Sequence, residues 1–178
     1  MQDTHEGLYR QPNSHGCIIC GLANPIGLKM VFHEDREKKQ VRARLVVPEH
    51  YRSYPGVVHG GIVAMILDET SGRALMTHSG DIDDFFVTAK MEVRYRRATP
   101  TGTPLLAVGW VERYGERARV SGELWLAGDE PEGPPVLLAE CTSLVVRPQP
   151  EFLDSWDQEA PYWRVYSDSE LAESGASV

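Results

Sequence analysis

Alternating hydrophobic and polar positions mark six strand candidates along the chain. The first two cover residues 28–33 and 41–47, where apolar side chains recur at every second position, as expected for strands with one buried face. The other four follow each other closely, separated by glycine and proline, and cover residues 87–95, 106–110, 118–126 and 136–146. Such spacing is typical of strands joined by tight turns.

One long helix is predicted between the second and third strand candidates. Residues 59–76 contain no proline and have an apolar interior, whereas residues 50–58 contain Pro55-Gly56 and indicate a loop. Short turns between successive strands imply an antiparallel sheet, and a single apolar helix needs a sheet to cover it. The sequence therefore predicts an α+β fold, with a curved antiparallel sheet of about six strands wrapped around one helix.

The two ends of the chain differ from its regular centre. Residues 1–16 are polar and without periodicity, so we expect a flexible leader there. The main domain is expected to span residues 17–148. Residues 149–178 carry five aromatic side chains among acidic ones. This composition indicates a C-terminal extension that is partly docked before a disordered end.

Composition limits the partners and the location. The chain has 178 residues, 42% of them hydrophobic, and a net charge of −8, which argues against nucleic acid or an anionic membrane surface as a partner. The apolar run at residues 62–67 is too short to cross a bilayer, and no secretory signal is recognisable. An odd count of three cysteines favours a reducing, cytoplasmic location without disulfides.

The start of the predicted helix carries the candidate chemistry. Two glycines after His59 are unusual there, because glycine disfavours a helix by up to roughly 1 kcal/mol. Gly60 and Gly61 would leave the N–H groups of the helix end uncovered, which suits a carbonyl oxygen that becomes an oxyanion. Asp68 lies seven residues after Gly61 and shares its small-residue face. A tight packing contact beside a surface aspartate explains the same pattern, so the residues alone leave both interpretations open.

His-Gly-Gly with an aspartate nine residues after the histidine resembles the acyl-CoA thioesterases of the hotdog fold, particularly the phenylacetate-pathway type. The upstream Cys-Ile-Ile-Cys-Gly and Asn-Pro-Ile-Gly-Leu, within residues 17–28, are similar to a segment found in one branch of that group. The resemblance covers roughly residues 17–147. It implies a thioester hydrolase that forms a homodimer or a dimer of dimers, with coenzyme A as part of the substrate and no separate cofactor.

The resemblance also implies roles for individual residues. Asp68 matches the nucleophile or the base that activates water, and the Gly60 amide matches the donor to the thioester oxygen. His59 matches a residue that shapes the pocket or orients the substrate. Thr88 matches a position whose hydroxyl assists the water or the carboxylate. Active sites of such enzymes form between two subunits, so Asp68 and Thr88 are candidates to serve one site from different chains.

Further candidates for binding the substrate are Gly61, Ser53, Met65, Arg94, Arg96 and Arg97. Ser53 stands six positions before the histidine, where many relatives carry an amide side chain. Ser53, His50 and His59 therefore remain alternatives for positioning water. The three arginines are candidates to meet the phosphates of coenzyme A, and an exposed strand face explains them equally well.

Three other functions remain open. A hydratase or dehydratase of hydroxyacyl thioesters has the same fold, and Tyr54-Pro55-Gly56 before a long helix loosely resembles such enzymes. A non-catalytic protein that binds acyl-CoA would lack turnover. The aromatic C-terminal extension is the one hint of an interaction protein. Release of free thiol without a change in enoyl absorbance separates the thioesterase from the hydratase.

Other reactive side chains have simpler interpretations. Cys17 and Cys20 suggest zinc, but a single Cys-x-x-Cys lacks a second pair, so no metal is expected. Cys141 lies in an apolar strand and is expected to be a small core residue. Glu69 and Arg73, four residues apart on the helix, predict a solvated ion pair.

Overall fold

A long antiparallel sheet and one main helix form the fold in the computed structural model, which describes residues 7–127, 136–154 and 156–176. The strands are β1 (Tyr9–Arg10), β2 (His33–Asp35), β3 (Gln40–Val46), β4 (Arg52–Tyr54), β5 (Val57–Val58), β6 (Val87–Tyr95), β7 (Pro104–Arg113), β8 (Arg117–Leu126) and β9 (Val136–Val146). Seven of them form one sheet in the order β1-β2-β3-β7-β8-β9-β6, and β4 pairs with β5. All strand pairs are antiparallel.

The main helix, α1 (Gly60–Ser79), packs across the strands β3, β7, β8 and β9. Its apolar side chains, including the fully buried Ile66 and Leu67, form the main core together with residues of these strands. The helix ends at Gly80, whose φ of 75° is the left-handed conformation that glycine adopts readily. No helix in the described part of the chain is long and apolar enough to cross a membrane.

The helix contacts the sheet at two glycines, and at Gly109 the approach is unusually close. A Cβ atom on Gly109 of β7 would lie 2.5 Å from the backbone oxygen of Thr70. On Gly122 of β8, it would lie 3.4 Å from the Ser71 Cβ. Part of the small-residue face of α1 is therefore packed against sheet backbone.

The predicted strand over residues 28–33 is wrong for most of its length, since β2 begins only at His33. Met30, Val31 and Phe32 are all buried, so the segment is covered on both sides. Met30 and Phe32 lie in the main core, whereas Val31 packs beside Leu171 of the C-terminal region. The alternating pattern suggested one solvent-facing side and could not show this second contact.

Residues 9–14, expected to belong to a flexible leader, are packed against the rest of the chain. Residues 9 and 10 form β1, and Gln11 and Asn13 are only 1% exposed. The Asn13 amide donates to the backbone oxygens of Cys20, at 2.7 Å, and Met30, at 2.9 Å. These polar side chains are thus buried because they satisfy backbone groups of the loop they cover. Residues 1–6 lie outside the described residues.

The C-terminal extension contacts the domain and ends differently from the prediction. A short helix, α2 (Asp168–Ser174), begins with a capping box between Ser167 and Glu170. Leu171 of α2 is fully buried, and the ring of Trp156 lies 4.5 Å from that of Phe85. The expected disordered end is therefore wrong up to residue 176, and residues 177 and 178 lie outside the described residues.

Candidate active site

The start of α1 leaves one backbone donor uncovered. His59 caps the helix, and its Nδ1 accepts the Gly61 N–H at 3.0 Å. The His59 carbonyl accepts the next two amides, from Ile62 at 2.9 Å and Val63 at 3.2 Å. Among the described residues the Gly60 N–H has no acceptor. The Gly60 amide is therefore the donor that a ligand oxygen can reach at the positive end of the helix dipole.

Tyr95, at the end of β6, fixes this helix start. Its hydroxyl donates to the Gly60 carbonyl at 2.9 Å, and a Cβ atom on Gly60 would lie 3.6 Å from the tyrosine ring. Tyr95 was not among the sequence candidates, although it follows Thr88 by seven residues on the same strand. In a regular strand this spacing puts two side chains on opposite faces, but a bulge between residues 88 and 90 brings them to the same one.

Asp68 and Thr88 meet across the helix and β6. The Thr88 hydroxyl donates to the Asp68 Oδ1 at 2.7 Å, and this contact lies within one chain. Asp68 is half-buried, and this burial raises the pKa of its carboxyl, as does the nearby charge of Glu69; the Thr88 hydrogen bond lowers it. A carboxylate with a raised pKa is a stronger base than an ordinary aspartate.

The loop before α1 is held by a residue that the sequence did not single out. The Glu49 carboxylate accepts hydrogen bonds from the Thr101 hydroxyl, from Arg52 at 2.9 Å and from the Gly56 N–H at 3.3 Å. These bonds lower the pKa of Glu49, and the bond from Thr101 has the largest effect. Ser53 lies in β4 within this loop, and its side chain is exposed. Glu49 and Thr101 are far apart in sequence, so no local pattern indicates the contact.

The remaining candidates lie in different surroundings. Gly61 is exposed at the start of the helix, and Met65 packs against the main core. The ring of His50 packs against Tyr51, with 4.2 Å between the ring centroids. Ser53 remains a candidate for orienting water, because it lies on the loop that leads into His59.

Arg94 and Arg96 do not reach the Asp68 site within one chain. They alternate on β6 with Val93 and Tyr95, which face the helix, so they project from the other face of the sheet. There Arg96 pairs with Glu140 of β9 at 2.6 Å. The sequence predicted these side chains near Thr88 on the same strand. It did not predict the bulge between residues 88 and 90, which turns them to the face of the sheet away from the helix.

The Glu69–Arg73 ion pair forms as predicted, but it is not solvated. The Arg73 Nε lies 2.8 Å from a Glu69 oxygen, and the arginine side chain is only 2% exposed. Arg73 also donates to the Pro12 carbonyl at 2.8 Å and lies over the ring of Phe32. The ion pair therefore joins α1 to the N-terminal segment that covers it.

Comparisons with known proteins concern the fold that carries this site. The family model described as the thioesterase superfamily matches residues 55–130, which include the helix and β6. A search of curated proteins finds no match. A crystal structure of a thioesterase superfamily protein is similar, with a TM-score of 0.62 and 25% identity over 75% of this chain and 60% of that chain. The match thus spans less than two thirds of that protein.

Two further solved structures share the fold. A phenylacetic acid degradation-related protein from Ralstonia eutropha has a TM-score of 0.52 and 23% identity, over 66% of this chain and 84% of that chain. An acyl-CoA hydrolase from Staphylococcus aureus, solved with butyryl coenzyme A, has a TM-score of 0.56 and 19% identity, over 65% of this chain and 70% of that chain. Together with the antiparallel sheet around one main helix, these findings show that the chain has the hotdog fold and that its residues 55–130 are similar to the thioesterase superfamily.

Proposed function

We propose that this protein hydrolyses acyl-CoA thioesters to a free acid and coenzyme A. The observation that carries the proposal is the pair of groups at α1: a half-buried Asp68 carboxylate held by Thr88, and the uncovered Gly60 amide at the helix end. The similar hydrolase from Staphylococcus aureus was solved with butyryl coenzyme A, which supports the choice of substrate class.

In the proposed reaction the Gly60 N–H receives the carbonyl oxygen of the thioester. Asp68 removes a proton from a water molecule while the water oxygen bonds to the carbonyl carbon, and the oxyanion that forms is stabilised by the helix end. The C–S bond then breaks and coenzyme A leaves as a thiolate, which takes up a proton. Direct attack by the Asp68 carboxylate, giving an anhydride that water then cleaves, uses the same two groups.

We also propose that the active form is a homodimer or a dimer of dimers. The nine-residue β6 is an edge strand: it pairs on one side with β9, and among the described residues no strand pairs with its other side. An open edge of this length favours pairing with a second strand, and β6 of another copy has the same length. Pairing there would bring a second chain next to β6, the strand that carries Thr88 and Tyr95.

Steady release of free thiol from acyl-CoA is the first expected result. A panel of aliphatic and aromatic acyl-CoAs of varied length should yield one thiol per acyl group hydrolysed, measured with a thiol reagent. Hydration of an enoyl-CoA without thiol release would point to the hydratase instead. Tight binding of several acyl-CoAs in calorimetry, without thiol release from any of them, would point to a non-catalytic binding protein.

Thr88→Val is expected to lower kcat/KM by about 10- to 100-fold, since a hydrogen bond to a charged group contributes about 1.5–3 kcal/mol. The Thr88 bond lowers the pKa of Asp68, so losing it raises that pKa further. The acid limb of the pH profile of kcat/KM should then move to higher pH. Thr88→Ser keeps the hydroxyl and should retain the wild-type limb. If the acid limb of the Thr88→Val profile stays at the wild-type pH, Thr88 does not influence the protonation of Asp68.

A further inference from the structure

Cys17 and Cys20 face each other in the turn that lies against α1. The Gly21 N–H donates to the Cys17 carbonyl at 2.8 Å, so the segment makes one helix-like turn. Side chains three residues apart are neighbours on such a turn. The two sulfur atoms and a carboxylate oxygen of Glu69 all lie within 4.8 Å of one another. Both cysteines are free thiols.

The two thiols differ in access to solvent. Cys17 is half-buried, whereas Cys20 is only 2% exposed. The Ile19 N–H donates to the Cys17 sulfur at 3.3 Å, which stabilises negative charge there. The Cys20 sulfur lies 3.3 Å from the Ser14 hydroxyl, inside the covered side of the turn. Cys17 is therefore the more exposed of the two cysteines.

The pKa values of the two thiols also differ, with the lower pKa at the more exposed Cys17. A hydrogen bond with the Cys20 thiol lowers the pKa of Cys17 to about 7, although burial and the charge of Glu69 oppose this. Hydrogen bonding with Cys17 and burial raise the pKa of Cys20 well above its usual range. The outer thiol therefore loses its proton more readily than the inner one. This division is the one needed for an attacking and a resolving cysteine.

We propose that Cys17 and Cys20 form a redox-active dithiol that closes into an intramolecular disulfide when the oxidant is a low-molecular-weight disulfide. The Cys17 thiolate attacks one sulfur of the oxidant, forming a mixed disulfide and releasing one thiolate. Cys20 loses its proton and attacks the Cys17 sulfur, which forms the internal disulfide and releases the second thiolate. The oxidant thereby takes up two electrons from the protein, and the proton of Cys20 goes to the released thiolate.

A zinc ion fits the same atoms less well. Structural zinc is held by four ligands in a tetrahedron, and this cluster offers three among the described residues. The Glu69 carboxylate in it already pairs with the buried Arg73 at 2.8 Å, which places a positive charge beside the position of the ion. A disulfide needs only the two sulfurs and a rotation of their side chains.

The test equilibrates the purified full chain with reduced and oxidised glutathione in varied ratio, followed by acid quenching, alkylation and peptide mass mapping. We expect a loss of two hydrogen atoms from the peptide that holds Cys17 and Cys20, reversed by excess reduced glutathione. Cys141, buried in β9, should remain a free thiol and react with the alkylating reagent only after the protein is unfolded. This measurement uses the wild-type protein and does not depend on a variant that folds.

Three variants give the order of the steps. Cys20→Ser should accumulate a glutathione adduct on Cys17. Cys17→Ser should react with oxidised glutathione at least about tenfold more slowly than wild type, because the remaining thiols are buried and have raised pKa values. Cys141→Ser, the matched control, should behave as wild type.

Two results would overturn the proposal. One is a Cys17–Cys20 pair that remains reduced at every glutathione ratio, or that stops at a stable mixed disulfide in the wild-type chain. The other is stoichiometric zinc in the purified protein that is lost in both Cys17→Ser and Cys20→Ser, since this would make the pair a metal site.

Discussion

Asp68→Asn is expected to lower kcat/KM for acyl-CoA hydrolysis by about three orders of magnitude, within the range of about 10²–10⁴ that general acid–base catalysis contributes. An amide cannot take a proton from water or attack the thioester carbon. The Asn side-chain oxygen can still accept the Thr88 hydroxyl, which lies 2.7 Å from Oδ1 in the native site. The loss should therefore come from chemistry rather than from misfolding, and initial rates of thiol release will measure it.

The same substitution should leave the protein as stable as wild type at neutral pH or more stable. The folded-state pKa of Asp68 is raised, mainly by burial, so the folded chain holds the Asp68 proton more tightly than the unfolded chain does. The stability that this contributes is complete at acid pH and is lost as pH rises through the raised pKa. Asp68→Asn removes the buried charge. Its melting temperature should equal or exceed that of wild type at pH 7, and the difference should vanish at acid pH.

Asp83→Asn is a matched control, because Asp83 is exposed and its backbone, not its carboxylate, bonds to Phe85. It should keep wild-type kcat/KM and melting temperature. Near wild-type hydrolysis of every acyl-CoA by Asp68→Asn would remove Asp68 from the mechanism. Loss of activity together with a lower melting temperature at pH 7 would instead give Asp68 a structural role.

The parts of the fold that depend on local pattern could be predicted from the sequence. The helix and the strands β3 and β6 to β9 follow from the spacing of apolar residues and from turn signals, which act over a few positions. The resemblance implied that the Thr88 hydroxyl assists the Asp68 carboxylate or its water, and it made the two residues candidates to serve one site from different chains. Within this chain the Thr88 hydroxyl lies 2.7 Å from the Asp68 Oδ1. The special role of the helix start at Gly60 could be predicted, because glycine at that position lowers helix stability and therefore needs a reason.

The parts that depend on distant contacts could not be predicted. The bulge between residues 88 and 90 of β6 brings Tyr95 to the helix and turns Arg94 and Arg96 away from it. No residue type in the strand predicts a bulge at this position. Polar residues of the N-terminal segment are buried because their partners lie on a loop and on α1. Their polarity alone indicated exposure, since the sequence does not show which backbone groups they satisfy.

Gly109→Ala is expected to destabilise the fold by about 3 kcal/mol, at the upper end of the usual cost of overpacking. The added Cβ would lie 2.5 Å from the Thr70 oxygen, 2.9 Å from its carbonyl carbon and 3.1 Å from the Ser71 Cα. All three are backbone atoms of α1, so no side chain can rotate away and the helix itself must shift from β7. Denaturant unfolding, followed by circular dichroism, will measure the loss.

The matched control is Gly72→Ala, in the same turn of α1, where an added Cβ would have no described atom within 4 Å outside its chain neighbours and the nearby backbone of its own helix. Replacing glycine by alanine inside a helix should there stabilise the protein by roughly 0.5–1 kcal/mol. Gly109→Ala should also lower kcat/KM, because a displacement of α1 by about 1 Å carries Asp68 with it and such an error can cost about 100-fold. Wild-type stability in Gly109→Ala would show that the helix is not held against the sheet at this glycine. A loss of stability without a loss of activity would mean that α1 yields there without moving the Asp68 carboxylate.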